Sequence, residues 1–171
     1  MENNYLYIAL MLLSFSGPFI DSFEHKIHFV KNWKILFSSI LIMMLIFIPW
    51  DVWFTSVGVW SFSEDFIIGY KIFYLPIEEW LFFLFIPFCC VFIHEVLQYY
   101  FPINKLDFSS KFILFSAFIL FLTSIIFFDK LYTFFVFFIT SFLMLIISFQ
   151  KKFFINNLIR TYLVSLIPFL L

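Results

Sequence analysis

Long apolar runs are the feature that most restricts how this chain can fold. Hydrophobic residues make up 64% of the 171 residues and charged residues only 12%, whereas soluble domains have about 45–50% and about 25%. Folding of a soluble chain of about this size buries roughly two-thirds of its surface, which is too little to cover so many apolar side chains. The sequence therefore predicts an integral membrane protein.

Six segments are apolar enough to be read as transmembrane helices, each of which needs about 20 mostly apolar residues. We expect an all-α polytopic bundle of about six such helices. The first segment lacks the positively charged start of a secretory signal, so we expect it to be retained. The predicted spans are residues 5–20, 34–53, 77–100, 112–128, 131–149 and 157–171.

The basic residues are distributed unevenly between the two sides of this bundle. Eight of the ten lie in or beside the loops after the first, third and fifth spans, and only Lys71 and Lys130 lie on the other side. Because cytoplasmic loops carry an excess of Lys and Arg, we expect a multi-pass cell membrane protein with an extracytoplasmic N-terminus. A net charge of −1, with no basic stripe or Gly-rich phosphate loop, does not indicate nucleic acid as a partner.

Three acidic residues lie at the facing ends of the second and third spans. Asp51 is near the end of the second span, and Glu78 and Glu79 follow Pro76 at the start of the third. Acidic residues behind a proline are an ordinary pattern at a helix N-terminus. Ionisable groups at the membrane surface are nevertheless costly and are candidates for function. Since the two spans run in opposite directions, we expect the three carboxyl groups at one depth on the outer side.

Aromatic side chains surround these acids in the sequence. An aromatic belt at the membrane interface would by itself account for the tryptophans. Two close carboxyl groups in a poorly solvated site, however, cannot easily both ionise. One of them is then a protonated general acid for a poor base such as an alkene, and aromatic faces and the remaining carboxylate stabilise the cation. The candidate catalytic residues are Glu78, Glu79 and Asp51, and the candidate substrate-binding residues are Trp50, Trp53, Trp60, Trp80, Phe82 and Phe83.

These motifs resemble a known family. The run from Trp50-Asp51 through Gly58-Val59-Trp60 and Gly69 to Pro76-Ile77-Glu78-Glu79 is similar to the small membrane (non-flavoprotein) lycopene β-cyclases, over about residues 1–105. The resemblance implies redox-neutral, acid-catalysed cyclisation of the ψ-ends of lycopene to β-ionone rings, giving γ- or β-carotene. It implies an intramolecular lyase or isomerase that acts on a lipid-dissolved polyene without a cofactor or metal. Glu78 and Glu79 match the acidic motif of the family, and Asp51 matches the acid that ends the preceding span.

Fused members of this family resemble two three-span repeats joined by an extra span. On that pattern the chain is a single transmembrane domain, 1–171, with a first repeat in residues 1–105, a connecting helix in 106–130 and a partial second repeat in 131–171. The chain stops at the apolar Leu171 before a second acidic motif. We therefore expect a fragment of a longer protein rather than one subunit of a split enzyme. A homo- or hetero-oligomer is compatible with either.

Three other functions remain open at this stage. A transporter or proton-conducting subunit would use Glu78 and Glu79 as a relay and would need further ionisable residues, which the fourth and fifth spans lack. A metal-dependent prenyltransferase would need carboxylate clusters that hold Mg²⁺ against a diphosphate, and the chain has no Asp-rich repeat. A non-catalytic assembly subunit would differ from a cyclase only in its activity.

Overall fold

The computed structural model describes residues 4–100, 109–150 and 152–166, and their regular structure is mostly helical. The predicted all-α membrane bundle is confirmed. The helices of the described residues are α1 (Leu6–Asp21), a 3-10 turn (Phe29–Asn32), α2 (Trp33–Ser56), α3 (Ile77–Tyr100), α4 (Ser110–Ile126), α5 (Leu131–Ser148) and α6 (Lys152–Ser165). A short hairpin of β1 (Lys71–Ile72) and β2 (Leu75–Pro76), which the sequence did not predict, precedes α3.

Three of these helical segments are long and apolar enough to cross a membrane: Phe29–Ser56, Ile77–Tyr100 and Leu131–Ser148. The helices α1 and α4 are apolar but shorter. The first five helices lie within three residues of their predicted bounds. The sixth differs, because α6 begins at Lys152, five residues before the predicted span, and ends at Ser165. The last part of that predicted span, 167–171, lies outside the described residues.

The chain divides into two compact units, Met1–Pro102 with Ser165–Leu171 and Ile103–Val164. In the first unit, α1 runs parallel to α3, since Tyr7 contacts Glu79 near the starts of both helices and Phe15 stacks on Phe85 at 4.3 Å further along both. The start of α2 lies beside the middle of α3, where Phe37 stacks on Phe88 at 5.9 Å. The predicted repeats stay a prediction.

The core of the first unit lies several turns along α3 from its acidic start. Phe29 and Phe88 are almost fully buried there, and the free Cys89 is buried beside them. Because lipid tails are as apolar as these side chains, helix association in a bilayer depends on close packing rather than on transfer from water. This aromatic core therefore fixes the three helices and leaves the polar site at their other end.

The segment between α2 and α3 reverses direction twice. At the end of α2, Gly58 has a φ of +74°, the amide of Val59 donates to the Phe54 carbonyl and the amide of Gly58 donates to the Thr55 carbonyl. This is a Schellman motif, in which glycine allows the left-handed conformation. The hairpin then turns at Phe73 and Tyr74, both at positive φ, as in the type I′ turns that suit two-residue hairpins.

In the second unit, α4 and α5 form an antiparallel helical hairpin, joined by a four-residue turn. The rings of Phe121 and Phe138 face each other across it at 6.3 Å. An apolar groove of about 690 Å³ lies between these two helices. It is lined by Lys111, Leu114, Phe115, Ala117, Phe118, Phe121, Phe138, Ser141, Phe142 and Leu145.

Candidate functional site

Glu78 is the most deeply buried of the predicted acids, with no exposed surface. The hairpin ends at Pro76, and α3 begins at the next residue, so Glu78 lies in its first turn. Its Oε1 accepts a hydrogen bond of 2.7 Å from the backbone amide of Ile68, in the loop before the hairpin. Its Oε2 is buried and has no hydrogen-bond partner among the described residues. Glu78 therefore joins the loop to α3 and has one buried oxygen without a protein partner.

Glu79 lies next to it but is held from another helix. The Tyr7 hydroxyl, in the first turn of α1, donates a hydrogen bond of 2.9 Å to Glu79 Oε1. Because α1 and α3 run parallel, the starts of both helices lie at the same end of the unit. Glu79 is only partly buried. Part of its surface therefore remains accessible, whereas Glu78 has no exposed surface.

Asp51 is buried on α2, with 6% of its surface exposed. One turn later Thr55 donates to the Asp51 carbonyl at 2.8 Å and accepts from the Trp60 indole at 3.0 Å. The Trp60 indole also interacts with the Asp51 carboxylate. Trp60 reaches this position because the Schellman motif at Gly58 turns the chain back over the end of α2. The Gly-x-Trp element therefore serves to place an indole beside the acid.

The structure brings the three predicted acids together around Tyr7. Glu79 interacts electrostatically with both Asp51 and Glu78, and the Tyr7 phenol interacts with all three. We call Tyr7, Asp51, Glu78 and Glu79 the acidic cluster. Among the described residues, no group of His, Cys, Asp or Glu side chains is arranged to hold a metal ion.

The carboxyl groups of the acidic cluster differ from the acid of the nearby loop in their partners. The Lys71 ammonium donates to the exposed Glu64 carboxylate at 2.9 Å and lowers the pKa of Glu64. That ion pair lies outside the acidic cluster, as does the pair of His94 with Glu95. Among the described residues, none of the three carboxyl groups of the cluster forms an ion pair with Lys, Arg or His. The two glutamates of the cluster are therefore paired with neutral hydrogen-bond donors, the Tyr7 hydroxyl and the Ile68 amide, rather than with a cation.

Three of the predicted tryptophans surround one buried ring that the sequence did not single out. Phe54 is fully buried. It lies 4.6 Å from the ring of Trp50, 5.0 Å from that of Trp53 and 5.0 Å from that of Trp60. Phe54 therefore fixes the positions of these three side chains at the end of α2.

Trp80 contributes to an apolar groove along α2. Its indole nitrogen is buried without a hydrogen-bond partner among the described residues. The groove has a volume of about 720 Å³ and reaches the tip of the hairpin at Phe73. Its lining residues are Leu41, Met44, Leu45, Ile48, Pro49, Val52, Trp53, Phe73 and Trp80.

The remaining two candidates, Phe82 and Phe83, are partly buried in the second turn of α3. Their rings contact each other at 6.0 Å. Neither lines the groove along α2. The structure places them on the same helix as Glu78 and Glu79, and their role in binding stays a prediction.

Tyr7 is the functional candidate that the sequence did not reveal. A tyrosine at the start of the first span did not by itself indicate a functional residue, because Tyr5 stands two positions earlier and the sequence does not distinguish the two. Tyr5 is 70% exposed, while Tyr7 is partly buried against Glu79. Only the packing of α1 on α3 distinguishes the two.

Comparison with known proteins gives two matches. A sequence model of the lycopene cyclase family matches residues 4–97 and 129–171. A bifunctional lycopene cyclase/phytoene synthase of Podospora anserina is 35% identical over 60 residues, which are 35% of this chain and 9% of that protein. The matched stretch is thus a small part of the length of that relative. No solved structure matches the chain.

Proposed function

Because the chain belongs to the lycopene cyclase family, we propose that it closes the ψ-ends of lycopene into β-ionone rings by acid catalysis. The observation that carries this proposal is the acidic cluster, to which α2 and α3 contribute carboxyl groups and α1 contributes the Tyr7 hydroxyl, in a mostly buried place. Such a cluster retains a proton that water would otherwise remove. Protonation of an alkene, which is a very weak base, requires a donor of that kind.

The proposed reaction needs one proton in and one proton out. A carboxylic acid of the cluster donates its proton to the terminal carbon–carbon double bond, which forms a C–H bond and leaves a tertiary cation. The electrons of the neighbouring double bond then form the ring C–C bond, and the positive charge moves to a ring carbon. A carboxylate removes the adjacent proton, and its C–H electrons become the double bond of the ring. No electrons are gained or lost, so the reaction is an isomerisation.

The aromatic side chains support this chemistry. A cation above an indole face is stabilised by the negative face of the ring. Trp50, Trp53 and Trp60 are held around Phe54 at the same end of α2 as Asp51. A preorganised arrangement of this kind stabilises charge that develops in the transition state without reorganising at that moment. We propose these indoles as the stabilising groups for the cyclic cations.

The groove along α2 suits an apolar substrate. It extends over thirteen residues, from Leu41 to Trp53, which corresponds to a rise of about 18 Å along the helix at 1.5 Å per residue. Its far end lies beside Trp53 and Trp80, near the acidic cluster. We propose that lycopene enters from the lipid and lies along this groove with one ψ-end towards the carboxyl groups. The localisation in the cell membrane with an extracytoplasmic N-terminus belongs to the same proposal.

Expression of the full-length chain in a lycopene-accumulating bacterium tests the proposal. We expect cyclised pigment in the membrane extract, separated by chromatography and identified from its absorption spectrum. Glu79→Gln should reduce the conversion by about 10²- to 10⁴-fold, the usual contribution of a general acid. Unchanged lycopene in cells that contain inserted, full-length protein would contradict the proposal.

A further inference from the structure

We infer that Tyr7 is a positioning residue that presents Glu79 as the proton donor, whereas Glu78 is an anchored carboxyl that does not contact the alkene. This inference rests on the proposed cyclase function and assigns roles within the acidic cluster. It depends on two hydrogen bonds and on the difference in exposure between the neighbouring glutamates. Each of these points to the same division of roles.

The Tyr7 hydroxyl determines which oxygen of Glu79 carries the proton. A phenol that donates to Oε1 at 2.9 Å makes that oxygen the acceptor, so the acidic hydrogen of a protonated Glu79 belongs on Oε2. Tyr7 also holds the carboxyl group across two helices, since the residues are 72 positions apart in the chain. The hydrogen bond from Tyr7 of α1 thus leaves the acidic proton on the other oxygen of Glu79, Oε2.

The same hydrogen bond favours proton transfer. When Glu79 gives up its proton, the bond from Tyr7 becomes charge-assisted, and such bonds are shorter and stronger than neutral ones. An interaction that strengthens as the reaction proceeds lowers the barrier, because it stabilises the transition state more than the ground state. Tyr7 therefore acts on the rate through Glu79, without contacting the substrate.

Accessibility separates Glu79 from Glu78. A proton donor must approach its acceptor to hydrogen-bond distance, either directly or through one water. Glu78 has no exposed surface, and its Oε1 already accepts from the Ile68 amide at 2.7 Å. Glu79 retains exposed surface. Glu79 is therefore the glutamate that can reach an alkene, and Glu78 holds the loop.

The test compares Tyr7→Phe with Tyr5→Phe in purified protein reconstituted into vesicles that contain lycopene. Tyr5 directly precedes the same helix and is exposed, so its substitution is the matched control. We expect Tyr7→Phe to lower kcat about 10- to 100-fold with little change in KM, as for loss of a hydrogen bond to a charged group. Tyr5→Phe should match the unsubstituted protein in both constants.

Infrared difference spectroscopy supplies a readout that a purely structural role would not change. The carbonyl stretch that disappears in Glu79→Gln belongs to protonated Glu79. In Tyr7→Phe this band should move to higher wavenumber, because its carbonyl oxygen has lost a hydrogen bond, and in Tyr5→Phe it should stay in place. If no such band disappears in Glu79→Gln, or if Tyr7→Phe leaves it unmoved, the inference is wrong.

The outcomes separate this inference from the proposed function. If the unsubstituted protein cyclises lycopene and Tyr7→Phe matches it in kcat, Tyr7 has no positioning role and the cyclase proposal stands. If Glu78→Gln abolishes activity while Glu79→Gln retains it, the roles of the two glutamates are reversed from those inferred. If the unsubstituted protein is inactive but the Glu79 band still shifts in Tyr7→Phe, the cyclase proposal fails while the Tyr7–Glu79 contact is upheld.

Discussion

The polar side chains of α4 and α5 and those of the acidic cluster have different kinds of partners. In α4 and α5, four hydroxyls donate to carbonyls three or four residues earlier in their own helix: those of Ser116, Thr123, Ser124 and Ser148. Tyr7 and Glu78, in contrast, make hydrogen bonds across 72 and 10 positions of the chain. A helix alone satisfies the first kind of group, whereas the second kind requires three elements to pack in one arrangement.

Charge divides the two regions in the same way. The sequences of α4 and α5 contain no acidic residue, while the acidic cluster places three carboxyl groups together. Groups that are costly to bury in lipid are retained where they serve binding or catalysis. The helices α4 and α5 therefore need only their apolar packing, whereas the start of α3 carries charged groups that packing alone does not require.

The largest difference between the regions should appear in activity when matched aspartates are changed. Asp51 is buried in the cluster, and Asp129 is exposed in the turn between α4 and α5. We expect Asp51→Asn to slow ring closure at least about 10-fold, because it removes a charge that would stabilise the cation. Asp129→Asn should leave the rate unchanged. Equal rates for both variants in the pigment assay would remove Asp51 from the site and weaken the comparison.

A smaller effect, on stability, is expected from Glu78→Gln. The amide oxygen of Gln can still accept from Ile68, but its NH2 group replaces Oε2, which is buried without a hydrogen-bond partner among the described residues. A buried donor without a partner costs about 1–3 kcal/mol. We expect a lower Tm and faster hydrogen exchange at the Ile68 amide. The control is Glu64→Gln in the same loop, whose side chain is 80% exposed and whose change should alter neither measurement. An unchanged exchange rate at Ile68 in Glu78→Gln would show that Glu78 does not anchor the loop.

The smallest effect should come from Ser124→Ala in α4. Ser124 is fully buried, but its hydroxyl donates only to the Phe121 carbonyl of the same helix at 2.7 Å. Its removal leaves no buried group without a partner. The fall in Tm should therefore correspond to a loss of about 1 kcal/mol of stability at most, the net contribution of one hydrogen bond. Activity should be unaffected. A large fall in Tm would mean that Ser124 has a tertiary role, and the contrast between the regions would be weaker than we describe.

The sequence predicted much of the fold because apolar length and helix direction are readable from it. The first five helices and the meeting of Asp51 with Glu78 and Glu79 follow from spans that run in alternating directions. The hairpin before α3 was missed, since Phe73 and Tyr74 occupy positive φ values where Asn or Gly is the usual signal. The sixth helix was misplaced because Lys152 and the polar residues after it lie inside the helix.

For this protein the sequence by itself determined the membrane class, the family and the helix ends at which the acids lie. These depend on the order of apolar and polar residues along the chain, which no packing can alter. Only the tertiary structure decided that Tyr7 rather than Tyr5 contacts Glu79, and that Glu78 rather than Glu79 is sealed from its surroundings. The physical reason is that neighbouring residues of one helix share a depth but not a direction. Which of these side chains faces a neighbouring helix depends on how the two helices pack together.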